Sequence, residues 1–167
     1  MKLHVNIDTP EEGDPQSPVP QVVLEKFERI LEEELERIVP SACQYEDVIV
    51  SVTFIDSAEM KEINREHRNV DEPTDVLSFP LWEEEGKLVL MPLLPGPLLL
   101  GDILICPEEV RRIHEALPYP EALCLMLAHG FLHLLSWDHD TPEKEAAMWE
   151  YQDLLKDRLL EVFEEDR

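Results

Sequence analysis

The chain of 167 residues predicts an α+β fold in a single domain spanning 1–167, a mixed sheet of about four or five strands packed with helices around a central histidine-bearing helix. Two observations carry this expectation. Short runs rich in β-branched residues alternate with stretches whose apolar residues recur at helical spacing. The stretch EALCLMLAHGFLHLL is almost wholly apolar, so it belongs in the interior and takes its histidines there with it.

In order along the chain, LHVNI alternates as a first strand, and EEGDPQSPVP reads as a loop. A first helix is expected from about Val19 to Val39, ended by Pro40. Leu24, Phe27, Ile30, Leu31, Leu35 and Ile38 form its inner face, with Glu25, Glu28, Glu32, Glu33, Glu34 and Glu36 outside. A β-branched strand follows over Asp47 to Ile55, and Asp56 or Ser57 caps a short helix, SAEMKEINREH. In PTDVLSFPL the prolines favour an extended or edge segment. An irregular hairpin is expected from Trp82 to Leu100, with a turn at Gly86, a strand KLVLM and a second turn PLLPGP, before the strand LLLGDILIC. Pro107 and two acids open another short helix. Pro118 and Pro120 precede the apolar helix, and Thr141 caps the last one, whose packing face is Met148, Trp149, Leu154, Leu155, Leu159, Leu160 and Phe163.

With 38 acidic residues against 14 basic, the net charge of −24 opposes a general polyanion-binding surface, so any nucleic acid has to be gripped locally. Three scattered cysteines without C-x-x-C spacing argue against a disulfide framework and a cysteine zinc site, and Cys124 reads as core. The start has no signal-peptide core and no apolar run is long enough to span a bilayer, which predicts a cytoplasmic protein with no membrane partner.

The chemistry concentrates in AHGFLHLLSWDHD. His129 and His133, four residues apart, rise from one face of a helix, and His139 can return after the helix ends to bring a third nitrogen from another direction. Three neutral imidazoles with an open position describe a catalytic zinc site, one Zn²⁺ able to activate water or polarise a phosphoryl oxygen. The spacing is that of the metzincin proteases, H-E-x-x-H-x-x-G-x-x-H. Gly130, however, stands where the general-base glutamate of those enzymes would be, and Ser136 where their turning glycine would be. Asp138 can orient a ligand imidazole, hold water at the metal or cap the turn.

A second constellation, Lys61, Arg65 and Arg68, lies along one side of the short helix. Neighbouring glutamates can pair with the first two, while Arg68 leads into the conformationally restricted VDEPTDVLSFP and can offer its fork to a phosphate.

Taken together, INREHRNVDEPTDVLSFP, LLLGDILICPEEV and HGFLHLLSWDHD resemble the motifs of the YbeY family of bacterial endoribonucleases, rRNA maturation factors. The resemblance runs from about Val48 into the last helix. It implies that His129, His133 and His139 bind zinc and that Arg68 is the catalytically important arginine; Lys61 and Arg65, on the same side of the short helix, are candidates for substrate binding by their spacing. It further implies cleavage of single-stranded RNA in small-subunit rRNA maturation and ribosome quality control, with small-subunit proteins and a ribosome-assembly GTPase as partners. Ser136 and Trp137 replace the glycine and tyrosine of the family pattern, and a positive φ at Ser136 would cost about 1 kcal/mol. Two other functions compete: a metal-stabilised assembly factor that binds without cutting, and a peptidase.

Overall fold

A computed structural model describes residues 1–8, 20–90 and 95–165. Strand β1 (Lys2–Asp8) leads to helix α1 (Gln21–Ile38), a 3₁₀ turn over Pro40–Gln44, strand β2 (Asp47–Phe54) and helix α2 (Ser57–Arg68). Then come β3 (Val76–Pro80), the short pair β4 (Glu83–Glu84) and β5 (Lys87–Leu88), and β6 (Leu98–Ile105). Helices α3 (Pro107–Ile113), α4 (Tyr119–Leu134) and α5 (Pro142–Glu165) complete the chain. The α+β expectation holds. The sheet has four strands in the order β1-β2-β6-β3, the first three parallel and β3 antiparallel to β6.

Alternation places every second residue of β2 in the core, with Val48, Val50, Val52 and Phe54 buried. Between Ile49 and Val50 the register with β6 slips by one residue, because their partners are Leu99 and Gly101. Gly101 has φ 148°, and a Cβ there would lie 2.3 Å from the carbonyl oxygen of Phe79. Only glycine fits at that crossing of β6 and β3. Behind the sheet, α4 packs through Gly130, where a Cβ would come within 2.7 Å of Ile103 Cγ2. The helix can therefore lie close to β6, which brings its last turn beside β3.

The local signals of the caps are borne out at several ends. Asp56, rather than Ser57, caps α2 by accepting from the Glu59 N–H at 2.8 Å. Thr141 Oγ1 accepts from the Lys144 N–H at 3.2 Å at the start of α5. Glu85 and Gly86, both at positive φ, close the tight β4–β5 hairpin. The predicted KLVLM strand shrinks to Lys87–Leu88, and this pair forms a sheet of its own. Pro120 lies inside the first turn of α4, where a missing N–H is harmless, so that helix begins earlier than the apolar run suggests.

Three side chains depart from their expected faces. Glu34, placed outside by the α1 pattern, is buried. Leu154 and Trp149, assigned to the packing face of α5, are 60% and 37% exposed. The rest of that face agrees, with Met148, Leu155 and Leu159 in the core. Val19, with the rest of the loop 11–19, and the first half of the second hairpin turn, 92–94, lie outside the described residues.

Candidate metal centre

The three histidines converge. One donor atom from each of His129, His133 and His139 lies within 4.8 Å of the others, and the Nε2 atoms of His129 and His133 are 3.0 Å apart. Helix α4 supplies the first two from adjacent turns of one face.

The third arrives because of how α4 ends. The Trp137 N–H donates to the Leu132 carbonyl at 3.0 Å and the Ser136 N–H to the His133 carbonyl at 3.0 Å, with Ser136 at φ 66° between them. This is a Schellman turn, and it reverses the chain so that His139 returns to the helix. Serine in the left-handed region is strained, and its buried Oγ has no hydrogen-bond partner. Asp138 serves this turn locally, its Oδ1 accepting from the His139 N–H at 2.7 Å.

The donor set suits a borderline cation such as zinc. His129 Nδ1–H donates to Gln152 Oε1 at 2.7 Å, which leaves the Nε2 lone pair directed toward the other imidazoles. Burial, reinforced by the neighbouring histidines, lowers the pKa of His133 from 6.5 to about 4, and burial likewise lowers that of His129. Both rings are thus neutral at physiological pH, as ligands must be. Two ligands of a tetrahedral zinc stand roughly 3.3 Å apart, close to the spacing of the two Nε2 atoms.

These imidazoles form one wall of an open cavity of about 770 Å³. Arg68, at the end of α2, lies on the same cavity, as do Val76, Ser78 and Pro80 of β3, and Trp137, Asp138 and Trp149. Lys61 and Arg65 are exposed on α2 and do not line it; Arg65 is 4.0 Å from Glu66. The sequence thus brings Arg68 to the histidines but leaves the other two cations on the outer surface.

The chain matches the family described as Endoribonuclease YbeY over residues 16–160. It belongs to the YbeY family. The Endoribonuclease YbeY of Acetivibrio thermocellus is 40% identical over 120 residues, covering 67% of this chain and 74% of that one. That of Persephonella marina is 40% identical over 121 residues, covering 71% and 74%. The Lachnospira eligens protein of the same name is 34% identical over 156 residues, covering 81% and 92%. Among solved structures, the solution structure of TM1509 from Thermotoga maritima superposes with a TM-score of 0.52 at 28% identity, covering 98% of this chain and 93% of that one.

Within this YbeY chain, four cavity residues escaped the sequence reading. Gln152 looked like a polar position on α5, yet it is 8% exposed and orients His129. Asp75, inside the PTDVLSFP motif, accepts from the Val76 N–H at 2.7 Å through Oδ1, while its Oδ2 lies 2.8 Å from His114 Nε2. His114, at the C-terminal cap of α3, also lines the cavity. Trp149 turns toward the three histidines, its ring 5.3 Å from that of His139. Glutamine, tryptophan and a lone histidine carry no spacing signal that could have marked them.

Proposed function

We propose that this cavity cleaves single-stranded RNA, and that the chain is a zinc-dependent, single-strand-specific endoribonuclease of small-subunit rRNA maturation and ribosome quality control in the cytoplasm. The observation that carries the reading is the convergence of three imidazoles and the Arg68 guanidinium on one open cavity. The relatives named Endoribonuclease YbeY support the same reaction class. Among the described residues no helix is long and apolar enough to cross a membrane.

His129, His133 and His139 would hold the zinc, which when bound supplies Lewis-acid polarisation of a phosphoryl oxygen and lowers the pKa of water. Gln152 keeps His129 in the ligand tautomer, and the hydrogen bond from the His139 N–H to Asp138 fixes the returning loop. No other described side chain forms an ion pair with Arg68, so its planar fork is available to two phosphate oxygens at once. Charge builds on those oxygens as the phosphodiester is cleaved, and a fixed cation stabilises it. Lys61 and Arg65, exposed on the same helix, would draw the RNA backbone toward Arg68. Small-subunit proteins and a ribosome-assembly GTPase are the proposed partners, meeting a chain whose −24 charge confines RNA contact to such local patches.

The test pairs zinc analysis of the purified protein with cleavage of a single-stranded RNA oligonucleotide. His133→Ala should lose zinc and lower cleavage by about 10³-fold or more. Arg68→Ala should keep its zinc and lower cleavage about 10²-fold. Unchanged cleavage by zinc-free His133→Ala overturns the mechanism. Product ends distinguish the nucleophile: a 2′,3′-cyclic phosphate means attack by the RNA 2′-hydroxyl, and a 5′-phosphate with a 3′-hydroxyl means attack by water.

The net charge of −24 favours a second reading, a non-cleaving assembly factor in which zinc ties the end of α4. In that case zinc removal lowers Tm while RNA binding persists and no cleavage is detected. The peptidase reading meets a steric objection, because even a Cβ at Gly130 has no room against Ile103.

A further inference from the structure

Strand β3 borders the candidate metal centre and, among the described residues, is an edge strand paired on one side, with β6. Its ladder fixes where each main-chain group points. The Cys106 N–H donates to the Asp75 carbonyl at 2.9 Å and the Leu81 N–H to the Leu100 carbonyl at 3.2 Å, both in register with the pairing of Val76 with Ile105. Antiparallel pairs alternate between exchanging hydrogen bonds and turning them outward. Asp75, Leu77, Phe79 and Leu81 therefore direct their main-chain groups to β6, and Val76, Ser78 and Pro80 direct theirs to the open edge.

Those three are the β3 residues that line the cavity along with Leu77. The outward N–H of Val76 is already taken by Asp75 Oδ1, and Pro80 has no N–H. Ser78 is thus the residue of β3 that offers both an N–H and a carbonyl to the cavity. A donor and an acceptor side by side match a feature common to all four RNA bases. On its Watson–Crick edge uracil carries N3–H beside O4, guanine N1–H beside O6, adenine N6–H beside N1, and cytosine N4–H beside N3. In a duplex that edge is already paired. Trp137 and Trp149 on the cavity walls supply faces on which an unpaired base can stack, and Arg68 supplies the phosphate contact.

We propose that the Ser78 main chain holds the Watson–Crick edge of one unpaired nucleotide beside the metal centre. The single-strand requirement then originates in the free edge of β3, and it is indifferent to which base is present. This inference rests on the RNA-cleaving reading above. An extended peptide can also add to a strand edge. The aromatic walls and Arg68 favour a nucleotide.

The experiment is a cycle between protein and RNA. Ser78→Pro removes the outward N–H and leaves the ladder intact, since proline is tolerated at outward-facing edge positions and Pro80 already occupies one. Ser78→Ala controls for the hydroxyl. The RNA is a uridine-rich single strand with one mapped cleavage site, unmodified or carrying one N3-methyluridine at successive positions around it. Wild type should slow roughly tenfold when one particular position is methylated, a loss in the range of one or two hydrogen bonds. Ser78→Pro should slow roughly tenfold on unmodified RNA, and methylation at that position should cost it clearly less than it costs wild type, because only the carbonyl is left to meet the base; Ser78→Ala should keep the wild-type pattern of methylation sensitivity. Equal penalties in wild type and Ser78→Pro, or no sensitive position in wild type, overturn the proposal. The methylation scan of wild type alone decides the matter if Ser78→Pro has lost zinc or a cooperative melt. Should wild type cleave none of these RNAs, the endoribonuclease reading fails, and the same cycle is read as oligonucleotide affinity by fluorescence anisotropy, where absence of coupling overturns the proposal. Loss of binding to an unstructured peptide in Ser78→Pro, with RNA affinity unchanged, assigns the edge to protein and overturns it too.

Discussion

Two clusters of polar side chains sit inside this molecule, and they are satisfied in opposite ways. Between α1 and α5, buried Glu34 accepts from Tyr151 Oη and Arg158, with Arg37 at 3.5 Å, while Arg158 also reaches Glu33 at 2.6 Å. Every charge there meets its opposite. At the end of α4, by contrast, three imidazoles face one another, two of them held neutral by burial, with no carboxylate among the described residues accepting from them. A cluster that closes on itself holds structure together. One whose lone pairs converge on a common point is arranged for something the chain does not itself contain.

That contrast can be tested by breaking each cluster in turn. The largest expected effect on stability belongs to the first: Glu34→Ala should lower the unfolding free energy by about 2 to 3 kcal/mol, less than the loss of a fully buried pair because Arg158 is 37% exposed and can rehydrate. Denaturant melts would show it, and activity per folded molecule should not change. Gly130→Ala should cost about 1 to 3 kcal/mol by wedging α4 away from Ile103, and cleavage should fall as well, because the wedge displaces both histidines carried on that helix.

The histidine cluster should announce itself through pH. Because the folded pKa of His133 is about 4 against 6.5 in the unfolded chain, the unfolded state binds the extra proton. In zinc-free protein the stability tied to neutral His133 is complete above about pH 6.5 and lost as pH falls toward 4, and His129 acts in the same direction. Thermal melts of zinc-free wild type and zinc-free His133→Ala across that range should diverge, with the flatter slope in the variant. The smallest effect is a gain. Ser136→Gly should stabilise by about 1 kcal/mol, since glycine accepts the φ of 66° and leaves no buried hydroxyl unpartnered. A rise in Tm with unchanged zinc content checks it.

The two clusters were not equally legible in the sequence. His129, His133 and His139 stand at spacings that a helix and its exit turn translate directly into proximity, so the local rule reaches the site. Glu34 follows the acidic side of α1 in pattern, and its burial depends on α5 arriving from more than a hundred residues further along with Tyr151 and Arg158. Trp149 and Leu154 failed for the same reason: periodicity gives α5 an apolar stripe but does not say where its neighbours stop covering it. Gln152 is the clearest case. Its role exists only because α5 packs on α4 at the height of His129.

By itself, the sequence determined most of the elements and the meeting of the three histidines, through rules that act over a few residues: alternation in β2, a cap at Asp56 or Ser57, the i, i+4 histidines and the turn that follows them. Tertiary structure decided which strand edge and which cation share the cavity with those histidines. Strand β3 becomes an open wall because it pairs antiparallel at the end of the sheet order, and that order is set by how the parallel strands and their helices bury apolar surface together. Local sequence carries no record of that competition, so the neighbours of the three histidines could be seen only once the chain had folded.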